Sequence, residues 1–121
     1  MEVINRDQVK PLVSERGEIV RELASPSIAS LRRHSVAEVT ITPGGCSTRH
    51  YHLQAEEVYY ILQGQGQMAI GGEVCPVGPG DAIVIPPFSQ HLIRNIGVEE
   101  LMMVVTCAPA WSPEDEIPVG D

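Results

Sequence analysis

The sequence predicts an all-β domain, a sandwich or barrel of short strands. Ala37, Val39 and Ile41 alternate with Val36, Glu38 and Thr40, the two-residue period of a strand. Short runs of this kind recur along the chain, separated by glycine and proline turn signals at close, regular intervals. No segment keeps helical periodicity over three turns, and 121 residues suffice for one domain with a real core but not for two.

Residues 1–35 read as an N-terminal strand or arm region of that same domain. Within them Glu18–Leu23 fits either a strand or a helical turn, and Pro26 ends it. The barrel proper is expected over 36–107. Its first strand begins at Ser35 and stops at Pro43-Gly44-Gly45, after which comes His50-Tyr51-His52. Glu57–Gln63 is rich in the β-branched and aromatic residues that strands prefer. Gly64-Gln65-Gly66 then turns the chain, Gln67–Ile70 forms a short strand, and Gly71-Gly72 marks a hairpin tip leading into Glu73–Val77. Gly78-Pro79-Gly80-Asp81 turns again, and Ala82–Ile85 reads as a short buried strand. Two more follow, Gln90–Asn95 and Glu100–Cys107, around the turn at Asn95-Ile96-Gly97. From 108 to 121, Pro109, Pro113 and Pro118 with Glu114, Asp115 and Glu116 predict an extended arm and not a strand. Trp111 on that arm reads as its docking anchor, with a lid over a pocket as the functional alternative.

Sixteen acidic residues against eight basic ones give a net charge of −8, and no basic cluster exceeds Arg32-Arg33. Nucleic acid and anionic membrane surfaces are therefore poor partners. The longest apolar run, Leu101–Ala108, is interrupted by Thr106 and too short to span a bilayer. Met1–Asp7 shows neither a basic nor an apolar leader region, and the three cysteines follow no CxxC pattern. A cytoplasmic protein with reduced thiols is the expectation, with Cys46, Cys75 and Cys107 each read as a small buried apolar residue.

His50 and His52 lie one residue apart, so on an extended chain both side chains leave the same face. That pair alone is a weak signal. Glu57 follows just ahead of Val58–Leu62, and His91 comes behind Pro86-Pro87, each set off by turn residues. Together, His50, His52, Glu57 and His91 are the expected ligands of one divalent transition metal ion: Zn, Mn, Fe, Ni or Co. Four protein ligands on an octahedral ion leave roughly two positions open for a substrate. Tyr59 shares the face of Glu57 and is a candidate substrate contact, or else a core residue. His34 reads as an ordinary surface or strand histidine, while Arg49 and Tyr51 alternate away from the ligands. Asn95 is expected to bond backbone in the turn before Gly97. Gly64 and Gly66 serve a turn, since no helix follows them to bind a phosphate.

These residues resemble the two signature motifs of the cupin superfamily. Gly44, His50, His52, Glu57 and Gly64 stand at the intervals of the first. Gly80, Pro86, His91 and Asn95 stand at those of the second, with Phe88 where the family usually has glycine. The resemblance implies a double-stranded β-helix, a jelly-roll barrel with the ion inside, and association as a homodimer through sheet edges. It implies a small-molecule ligand but no single reaction, because one scaffold carries many chemistries. The expected function is Lewis-acid chemistry of the isomerase or epimerase kind on a small polar metabolite, a sugar or sugar-derived acid. The alternatives are an iron-dependent dioxygenase and a non-catalytic module in which the ion anchors a ligand for binding or sensing.

Overall fold

The computed structural model describes residues 1–120. A 3₁₀ turn at Arg6–Gln8 precedes eleven strands among them. These are β1 (Leu12–Val13), β2 (Glu18–Ala24), β3 (Ser35–Ile41), β4 (His50–His52), β5 (Glu56–Gln63) and β6 (Gly66–Ile70). Then come β7 (Glu73–Val77), β8 (Ala82–Ile85), β9 (His91–Asn95), β10 (Leu101–Ala108) and β11 (Glu116–Pro118). They form two antiparallel sheets, one of six strands ordered β1-β2-β3-β10-β5-β8 and one of five ordered β11-β4-β9-β6-β7. The fold is the expected all-β jelly roll. No helix among the described residues is long and apolar enough to cross a membrane.

Strand alternation decides what fills the space between the sheets. Along β5, Glu57, Tyr59 and Ile61 are buried while Tyr60 and Leu62 are exposed on the other face. Opposite them, β10 places Cys107 against Glu57 and Met103 against Ile61. The interior is therefore polar at one end of these strands and dry at the other. Ile41, Ile61, Ile85, Ile93, Leu101 and Met103 are the fully buried apolar side chains of this interior. Each such side chain contributes about 1.5–3 kcal/mol relative to exposure.

A turn glycine and the last residue of β9 hold this interior in register. Gly64 has φ +88, and a Cβ there would lie 2.6 Å from the Glu100 carbonyl oxygen, so no other residue fits without moving backbone. Asn95 Nδ2 donates to the carbonyls of Ile41 (2.8 Å) and Glu99 (2.9 Å), and its Oδ1 accepts from the Gly97 amide (2.9 Å). It is the expected structural residue, tying β3, β9 and the following turn together.

Of the two readings open for Glu18–Leu23, the strand is the one formed: Glu18–Ala24 pairs with β3. Other expectations need correction. β8 is not a buried strand: only Ile85 is buried, because β8 is a sheet edge whose outer face nothing covers. The tail is not merely an extended arm, since Glu116–Pro118 pairs with β4. Proline is tolerated there because β11 is itself an edge. Of the cysteines only Cys107 is buried; Cys46 is partly covered and Cys75 exposed.

The tail does more than pair. Asp115 accepts hydrogen bonds from the amides of Gln54 (2.8 Å) and Ala55 (3.1 Å), and its carbonyl accepts from Leu53 (2.9 Å). It thereby clamps the loop between β4 and β5. The Trp111 amide donates to Ser35 Oγ at 2.9 Å, while its side chain lines a cavity.

Candidate metal centre

β4 and β9 lie side by side with His50 opposite His91. Glu57 faces them from the start of β5, in the other sheet. The four expected residues His50, His52, Glu57 and His91 are all buried, and one ligating atom from each lies within 4.8 Å of the others. Glu57 Oε1 is 3.0 Å from His52 Nε2 and 3.1 Å from His91 Nε2. The His50 and His91 ring centroids are 4.3 Å apart.

The donor atoms fit a cation. His52 Nε2, His91 Nε2 and Glu57 Oε1 are buried and close, yet none has a hydrogen-bond partner. Buried polar atoms are nearly always hydrogen-bonded, so three orphans converging on one point call for a common positive partner. Two imidazoles are already set for this. His50 Nδ1 contacts the Thr48 carbonyl at 2.7 Å and His91 Nδ1 the Ser89 carbonyl at 2.8 Å. A carbonyl only accepts, so each Nδ1 carries the proton and each Nε2 offers its lone pair. In both cases the carbonyl lies two residues before the histidine.

Charge is distributed unevenly over the cluster. Burial raises the Glu57 carboxyl, but the side-chain contacts of His52 and His91 outweigh it and hold the group below the usual carboxylate range. Burial likewise opposes a charged His52, and Glu57 overrides it, leaving that imidazole above its ordinary value. His50 is pushed down, first by burial and then by His91. Cys107 Sγ donates to Glu57 Oε2 at 3.1 Å, which leaves Oε1 alone facing the histidines. Burial, then Glu57, pushes the Cys107 thiol well up, so it stays protonated and a donor.

Phe88 takes φ +65, the left-handed conformation that suits the glycine usual at this position. Its amide donates to the His52 carbonyl at 2.8 Å, and its ring stacks on Tyr51 with centroids 5.8 Å apart. The departure from the motif thus falls on local backbone and leaves the ligands in place. Tyr51 points away from the cluster, as alternation requires.

A cavity of about 210 Å³ opens beside the cluster, and His50 and Glu57 line it while His52 and His91 do not. His50 and Glu57 are thus the members of the cluster that meet this space. Tyr59 lines it too, buried, with its ring 6.0 Å from His91. Burial and then Glu57 hold its phenol well above the usual range, so it is neutral. It serves core and cavity wall at once. His34 is exposed and takes no part.

Reading the sequence missed three residues here: Cys107 in its contact with Glu57, Glu116 and Glu18. Glu116 Oε1 is 3.6 Å from His50 Nε2 and accepts from Trp111 Nε1 at 3.1 Å. Glu18 lines the cavity from β2, and burial, with Glu116 and Glu57 adding to it, raises its carboxyl to about 7. The face formed by Glu18, Val20 and Glu22 was the available signal, since Val20 packs against the core and takes both carboxylates inward with it.

Fold and cluster together define a small β-barrel protein that could hold one metal ion beside a ligand cavity. The chain belongs to the cupin family: residues 37–107 match the Cupin domain. It is 39% identical over 109 residues to an uncharacterized protein of Methanocaldococcus jannaschii, covering 90% of this chain and 87% of that one. It is 28% identical over 107 residues to the polyketide synthase CurC of Streptomyces cyaneus, covering 88% and 69%. Among solved structures, the polyketide cyclase RemF from Streptomyces resistomycificus superposes with a TM-score of 0.83 at 23% identity, covering 100% of this chain and 87% of that one.

Proposed function

We propose that the protein is a metal-dependent enzyme acting on a small molecule that chelates through oxygen, by Lewis-acid and proton-transfer chemistry without redox change. One observation carries the reading: three buried, unpartnered donor atoms and His50 converge beside an open cavity that His50 and Glu57 line. His50, His52, His91 and Glu57 would hold the ion. A divalent ion bound there supplies a Lewis acid that polarises a carbonyl or acidifies a coordinated hydroxyl.

The other groups follow from the chain. Cys107 fixes the rotation of the Glu57 carboxylate so that a single oxygen faces the histidines. The Tyr59 phenol is neutral and lines the space where ligand oxygens would lie, available as a donor. Glu18, with its carboxyl near neutrality, can hold or release a proton at the cavity wall in the range where most enzymes work. Trp111 and the aliphatic wall keep water from one side of the space. The relatives named for polyketide synthesis support an enzyme of small-molecule metabolism over a passive binding module.

Association between copies belongs to the same reading, supported by exposed Leu12 and Val13 on the edge strand β1. Metal analysis of protein purified without chelator tests the core claim. We expect about one divalent ion per chain, lost in His50→Ala/His91→Ala protein that remains folded. Absence of stoichiometric metal in the wild type would overturn it. Activity with zinc as the sole metal would remove the dioxygenase alternative.

A further inference from the structure

Charge and apolar surface in the cavity bear on what enters it. Its lining carries four carboxyl groups, Glu18, Glu22, Glu57 and Glu116, and among the described residues neither lysine nor arginine. Val20, Val39, Ile93, Met103, Val105 and Trp111 give the wall its larger apolar side chains. A divalent ion would be offset by Glu57, its own ligand, and by Glu116, which stands 3.6 Å from His50 Nε2. The fixed field left for an incoming ligand is then neutral to negative. A phosphate or sugar carboxylate held away from the ion would meet carboxylates with no guanidinium or ammonium to receive it. A polyhydroxylated body would find partners only at the carboxyl groups and at Ser35, Thr48 and Tyr59, and elsewhere would set its hydroxyls against valine and methionine, where they lose water without gaining partners.

We propose that the cavity takes a neutral ligand with two neighbouring oxygens for the ion and an apolar, aryl-like body for the wall, not a sugar phosphate or sugar acid. The inference rests on the metal-enzyme reading above and sets its substrate class. It departs from the sugar-derived acid that the sequence suggested.

A matched pair of probes tests this on the zinc-loaded protein: 1-phenylbutane-1,3-dione, uncharged when free at pH 7, and 4-(3-oxobutanoyl)benzoate, which keeps the same two chelating oxygens and carries a carboxylate on the far side of the ring, away from the ion. Glucose 6-phosphate and glucuronate serve as anionic sugar probes. Titration calorimetry at pH 7 is expected to show the diketone binding at least tenfold tighter than its anionic partner, with no binding of either sugar probe up to 1 mM, roughly the upper end of ordinary substrate affinities. Glu22→Gln is expected to narrow the gap by improving the anion alone. Equal or tighter binding of the anions, or no binding of the diketone, would overturn the proposal while leaving the metal site standing. If the diketone binds His50→Ala/His91→Ala protein as well as wild type, the metal-site reading itself fails, and the substrate class falls with it.

Discussion

Replacing Glu18 by glutamine isolates what it costs this fold to enclose a carboxylate. The side chain points inward from β2, next to Ile41 across the β2–β3 ladder, with Glu116 and Glu57 as nearby like charges. Burial is the largest influence, and the folded carboxyl sits at about 7 against an ordinary 4.5. A carboxyl raised in this way binds more protons folded than unfolded between those two values, so its contribution to stability is intact below the lower one and is lost as pH rises through the upper one. At 1.36 kcal/mol per pH unit the loss reaches about 3 kcal/mol by pH 8. Glutamine keeps the shape and has no such dependence. Urea unfolding of chelated protein from pH 4.5 to 8 should therefore show Glu18→Gln close to wild type at the acid end. The variant should gain steadily above that, up to about 3 kcal/mol, or roughly 10 °C in Tm for a chain of this size. Histidines titrate in both proteins and cancel in the difference. A difference that stays flat with pH, or a variant less stable at pH 8, would refute the reasoning. Metal loading should shrink the gain, since a nearby cation favours the ionised carboxylate.

Other consequences are equally open to measurement. At position 88 the left-handed backbone makes glycine preferable to alanine: Phe88→Ala should lose about 1 kcal/mol with the Tyr51 stack, and Phe88→Gly should recover about as much. Equal stability of the two variants in denaturant titrations would contradict the assigned conformation. Cys107→Ala should weaken zinc affinity about tenfold in competition with a chromophoric chelator, while Cys107→Ser, which keeps a donor to Glu57, should stay within threefold of wild type. Asn95→Asp should unfold more readily than wild type by roughly 2–4 kcal/mol, because it sets an acceptor against the carbonyls of Ile41 and Glu99.

The barrel was readable because its strands alternate and its turns are punctuated. Ser35–Ile41, Glu73–Val77 and Ala82–Ile85 could be bounded from residues alone. So could the four-residue cluster, since a same-face histidine pair and two further ligands sit at spacings that a barrel brings together. What stayed hidden depends on register. Nothing along the chain says that Cys107 comes opposite Glu57, fifty positions earlier; the β5–β10 ladder decides it. A segment that fits either a strand or a helical turn has no defined inner face, so only the cavity beside Val20 shows that Glu18 and Glu22 turn toward it. Pro118 argued against a final strand, and that inference ignores what an edge tolerates.

The clasp made by Asp115 on residues 53–55 has a practical meaning. It bridges the stretch between two ligands with a residue from the far end of the polymer, so the spacing of His52 and Glu57 is set partly by a segment that contributes no donor of its own. A version of this protein shortened at Ser112 would keep His50, His52, Glu57 and His91 and still lose the span that seats two of them.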